Sequence, residues 1–75
     1  MYQHWSYVVK TDSVPFKPLE GKTLESAVSE MTEKLIAASR KHMQNYKYSF
    51  EVAHVFSTVV DDKVMVTVVS QGKKV

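Results

Sequence analysis

A chain of 75 residues with ten Lys/Arg against eight Asp/Glu, a net charge of +2 and 44% hydrophobic residues has the composition of a small folded domain, not of a disordered tail. It contains no cysteine, which excludes a disulfide framework, a cysteine-based zinc site and a thiol nucleophile. No apolar run approaches the roughly 18–20 residues of a membrane-spanning helix, and the opening Met1-Tyr2-Gln3-His4-Trp5 lacks the pattern of a signal peptide, so a cytoplasmic protein is expected.

Residues 2–10 are rich in aromatic and β-branched side chains and predict a strand. Trp5, Tyr7 and Val9 share one face of it, and Tyr2, His4, Ser6 and Val8 share the other. Residues 11–22 hold both prolines and Gly21, and each X-Pro step biases the residue before it away from helix, so an irregular loop is expected there. Val14, Phe16 and Leu19 are expected to turn back onto the core.

A helix is predicted over residues 23–45. Thr23 is placed to cap its start, and Glu25 lies in the first turn, where a carboxylate meets the positive dipole end. Leu24, Val28, Met31, Leu35, Ala38 and His42 recur at steps of four and three, with Ala27 widening the stripe. Asn45 is the expected C-terminal cap. Glu30 and Lys34 stand at the spacing of a helix-stabilising pair.

A hairpin is predicted over residues 47–70. Tyr48, Phe50, Val52, His54 and Phe56 alternate with Ser49, Glu51, Ala53, Val55 and Ser57, and Asp61-Asp62 supplies a turn. The run from Val64 to Val69 is nearly all apolar, which places it as a strand covered on both sides. Residues 71–75 read as a frayed tail. The expected fold is therefore α+β: one domain over residues 1–75, with a β-α-β-β chain order. Its three-stranded, mainly antiparallel sheet is expected to have strand order 1-3-2 and to pack on one long helix, a parallel pairing of strands one and two being the alternative.

One helix covers one face of such a sheet, and large apolar groups fall on both. Trp5, Tyr7 and Val9 oppose Val8 and Tyr2, and strict alternation sets Phe50, Val52 and Phe56 against Val55 and Val59. An uncovered apolar face of this kind marks an interface. A thin core, burying only about 60–65% of the surface of the unfolded chain, points the same way.

Candidate chemistry is sparse. Gly21-Lys22-Thr23 resembles the end of a phosphate-binding loop, but Phe16 stands where its first glycine is needed and Pro18 interrupts it. His4, His42 and His54 are too far apart in sequence for a local zinc motif. Asp61-Asp62 sits at a hairpin tip, where nothing shields a catalytic carboxylate. The pair serves instead as a turn. With Lys63 on one side and Lys73-Lys74 on the other, it also flanks an aggregation-prone window. No serine lies in a nucleophile elbow. No catalytic residue, metal ligand or cofactor site is assigned, and the chain is expected not to be an enzyme.

Arg40, Lys41, Lys47, Lys73 and Lys74, with Tyr46 and Tyr48 interleaved, are the candidates for a single-stranded nucleic-acid surface. The small net charge and the match of the helix charges to its dipole argue against it.

The strand–long helix–hairpin order, with Phe50-Glu51-Val52 on the second strand and Asp62-Lys63-Val64 closing the hairpin, resembles the dodecin family of small flavin-binding proteins that assemble into hollow dodecamers. The resemblance covers about a third of the chain. It implies a flavin stacked just before the Phe-Glu-Val string, where Tyr48-Ser49 stands here in place of that family's tryptophan.

The leading expectation is a non-catalytic homo-oligomer, a dimer or larger, acting as a protein–protein interaction or assembly module. Trp5, Tyr7, Tyr48, Phe50 and Phe56 are its interface candidates. The rival is a binder of a flavin- or nucleotide-like ligand at a subunit interface, stacked on Trp5, Tyr7, Tyr48 and Phe50.

Overall fold

The computed structural model describes residues 4–17 and 20–75. The expected placements of Tyr2 and Leu19 lie outside the described residues. The chain runs β1 (Ser6–Pro15), α1 (Leu24–Asn45), β2 (Glu51–Val60) and β3 (Lys63–Gly72). The sheet order is β1-β3-β2, with both pairings antiparallel. The most apolar strand is thus central.

β1 continues to Pro15 through residues expected to be loop. Val14 is the reason: it pairs with Val64 and is buried at 6% exposure, so the strand is held onto the core across its last turn of pleat. Pro15 is tolerated because β1 is an edge strand and needs no outward N–H donor there. Phe16 stays half exposed, although its N–H donates to the Asp62 carbonyl at 2.8 Å.

The helix begins where Thr23 caps it, with the Thr23 Oγ1 accepting from the Ser26 N–H at 3.1 Å. Its buried face differs from the simple apolar stripe. Leu35, Ser39 and Met43 are buried, and Leu24, Ala27, Val28, Met31 and Ile36 pack against the core at partial exposure, whereas Ala38 and His42 are exposed. Ser39 tolerates complete burial because its hydroxyl donates to the Leu35 carbonyl at 2.8 Å, one turn back. Glu30 pairs with Lys22 at 2.8 Å and not with Lys34, so that bond ties the approach to the helix back onto its second turn.

The helix closes one residue beyond Asn45. Lys47 is left-handed at φ 59°; its N–H donates to the Gln44 carbonyl at 3.0 Å, and the Tyr48 N–H donates to the Met43 carbonyl at 2.9 Å. That pair of bonds is the Schellman arrangement, built here with lysine where glycine is usual. A side chain in the left-handed region carries a steric cost, so Lys47→Gly is expected to stabilise the fold by about 1 kcal/mol in denaturant unfolding. An unchanged midpoint would mean that Lys47 recovers this cost through its side chain.

The C-terminal residues are not frayed. Gln71 and Gly72 belong to β3, and Lys74 bridges to Tyr48. The Ser49 N–H donates to the Lys73 carbonyl at 2.8 Å, and the Val75 N–H to the Lys47 carbonyl at 2.9 Å.

The buried hydrophobic residues are Val14, Leu35, Met43, Val64, Val66 and Val68; all but Met43 form one cluster, with Val52 and the helix residues around it. The helix lies over β1 and β3. β2 beyond Val52 is left uncovered on the helix side, where Val55 and Val59 are 46% and 60% exposed.

Candidate functional site

The face of the sheet opposite the helix is defined by register. Val64, Val66 and Val68 are buried under the helix, so the alternate residues Met65, Thr67, Val69 and Gln71 point to the other side. Residues directly opposite each other in an antiparallel ladder share a face. Tyr7 and Val9 of β1 therefore join that open face through Gln71 and Val69, and His54, Phe56 and Thr58 of β2 join it through Val69, Thr67 and Met65.

A β-bulge decides which aromatics reach it. The register of β2 shifts between Val52 and His54, leaving Ala53 unpaired. One extra residue reverses every side chain beyond it. Val52 opposes buried Ser70 on the helix side, whereas His54 and Phe56 turn to the open side and Val55 and Val59 to the helix side. The strict alternation expected along residues 48–57 is thus broken once, and Phe56 is separated from Val52.

The open face mixes large apolar side chains with neutral polar ones. Trp5, Tyr7, Val9 and Phe56 are 42%, 60%, 62% and 50% exposed. The rings of His54 and Phe56 stack at 5.7 Å. Thr11 and Thr67 share a hydroxyl–hydroxyl bond of 3.0 Å across the β1–β3 ladder. The Lys73 ammonium lies 4.5 Å from the centre of the Trp5 ring, at one end of the face.

The interface candidates therefore divide. Trp5, Tyr7 and Phe56 belong to the open side. Phe50 does not join them, since the Arg40 guanidinium of the helix sits 5.2 Å over its ring, and Tyr48 meets only Tyr7 of the set, the two lining a shallow cavity of about 220 Å³ with His42, Met43 and Tyr46. The four-residue stacking surface expected for a flavin-like ligand is not assembled as one surface. A larger open cavity of about 670 Å³ lies at the other end of the molecule, between Val14 and Pro15 of β1 and Ala27 and Met31 of the helix.

Arg40, Lys41, Lys47, Lys73 and Lys74 gather at the end formed by the helix C-terminus and the last residues of β3. Two of the aromatics that could stack on bases there, Phe50 and Trp5, already carry Arg40 and Lys73 on their rings. Among the described residues no group of three or more His, Asp or Glu is placed to hold a metal ion. Among the described residues no helix is long and apolar enough to cross a membrane.

Sequence reasoning missed the role of Ala53, since nothing in its chemistry marks a bulge. It also missed the uncovered helix side of β2, which depends on where the helix crosses the sheet. Comparison with protein-family models, with curated proteins and with solved structures finds no match to this chain.

Proposed function

We propose that this chain is a non-catalytic assembly module that works as a homo-oligomer, with the open sheet face as a contact between copies. The observation that carries this reading is the row of Tyr7, Val9 and Phe56, each at least half exposed, on the face the helix does not cover. Apolar area left in water gives up about 25 cal/mol per Å², and a continuous patch recovers that on association. A second copy offers the same patch, and two-fold association makes it self-complementary.

The ligand-binding reading is weaker because its aromatics lie on different sides of the sheet. The nucleic-acid reading is weaker because the net charge is only +2 and two of the aromatics at the basic end, Phe50 and Trp5, already carry Arg40 and Lys73, although Tyr46 there is exposed.

The test is the solution mass by light scattering at low and high protein concentration. The wild-type chain is expected to exceed its 8.6 kDa monomer mass, and Val9→Lys, which places a charge on the open face between Tyr7 and Thr11, is expected to lower the assembly. A strict monomer at high concentration would refute the reading. An oligomer indifferent to Val9→Lys would remove the open face from the contact.

A further inference from the structure

The two edges of the sheet are built differently. β1 carries Lys10 and Asp12 on its helix side and Pro15 at its end, the devices that keep an edge strand from pairing with another chain. β2 has neither charge nor proline from Val52 to Val60, and its bulge at Ala53 lies near its start, leaving residues 54–60 in regular register. Its inner valines, Val55 and Val59, are uncovered, as are Phe56 and Val60. A ten-residue strand, without Asp, Glu, Lys or Arg after Glu51 and with one side of its backbone unpaired, is a template for a further strand.

We infer that β2 pairs antiparallel with β2 of a second copy, joining two sheets into one of six strands; this rests on the homo-oligomer reading and adds a contact at the sheet edge to the one on the open face. Two features select a second copy as the occupant. The first is the strand's own symmetry about Ser57. A two-fold axis there sets Val55 opposite Val59 of the partner subunit, both on the helix side. On the other side it sets Phe56 opposite Thr58 of the partner subunit. With no charge between Val52 and Val60, the strand meets its copy without repulsion.

The second feature is the charge of the whole molecule, which is 52 Å long. Arg40, Lys41, Lys47, Lys73 and Lys74 lie at the end where β2 starts, with Glu51 the acid beside them. Glu20, Glu25, Glu30, Glu33, Asp61 and Asp62 lie at the end where β2 finishes, only partly offset by Lys17, Lys22, Lys34 and Lys63. Antiparallel β2 pairing sets the basic end of each copy beside the acidic end of the other. A parallel arrangement would set like charges together.

The experiment uses the cysteine-free full chain carrying Ser57→Cys. Residues opposed at a two-fold axis in an antiparallel ladder have Cα atoms about 4.5 or 5.5 Å apart, within the range a disulfide spans. Under mild oxidation Ser57→Cys is expected to give a covalent dimer on a non-reducing gel. Val55→Cys and Val59→Cys are expected to cross-link when mixed and not when oxidised separately. Val55→Lys, at an already exposed position, is expected to keep the circular dichroism spectrum and weaken association by about tenfold or more.

An oligomer by light scattering that neither cross-links at Ser57→Cys nor weakens with Val55→Lys would overturn the edge pairing while leaving the assembly reading standing. A monomer at high concentration would overturn both.

Discussion

Gly72→Ala is expected to be the most damaging single-methyl change in this protein, costing about 3 kcal/mol or more. Gly72 is buried at the end of β3, and a Cβ built on it would press into the Ser49 carbonyl, 2.9 Å from the carbonyl carbon and closer still to the oxygen. The neighbour is backbone, so no rotamer change relieves the overlap. Ser49 and Lys73 are tied by two bonds, the Ser49 N–H to the Lys73 carbonyl at 2.8 Å and the Lys73 N–H to the Ser49 Oγ at 2.9 Å. Opening space for a methyl group pulls that link apart and releases the C-terminal residues with it. The thermal midpoint is expected to fall by more than about 10 °C for a domain of this size. A shift of only a degree or two would show that the segment before β2 does not lie against Gly72.

Met43→Ala is expected to cost about 2–5 kcal/mol, the range for truncating a fully buried methionine, while Ala38→Gln stays within about 0.5 kcal/mol. Met43 is 1% exposed, and Ala38 is exposed. The contrast is informative because the apolar periodicity of the helix nominates Ala38 and passes over Met43. In a core whose fully buried hydrophobic side chains are Met43, Val66 and Val68, the loss of one cannot be shared among many neighbours. Denaturant unfolding of the two variants decides it: comparable losses would mean that the helix is rotated from the orientation described here.

The difference between these residues shows what local pattern can carry. Leu24, Val28, Met31 and Leu35 were legible as a stripe, and they do face the core. The continuation was not, because Ser39 reads as polar and yet is buried through a bond to its own helix. Likewise the open face was legible in Trp5, Tyr7 and Val9, whose alternation is undisturbed. It was misread in β2, where Ala53 inserts one residue and sends Phe56 to the opposite side from Val52.

Pattern and composition alone determined the chain order, the cap at Thr23, the turn at Asp61-Asp62 and the central place of the last strand. Each follows from short-range chemistry or from how apolar a segment is. Tertiary structure decided the extent of β1, the pairing of residues 71–75 and the side on which each β2 residue lies. It also decided the side on which β2 is left bare. Those outcomes depend on contacts between residues far apart in the chain. A helix that settles over β1 and β3 necessarily leaves the third strand open, and that choice is made by packing, not by any residue in β2.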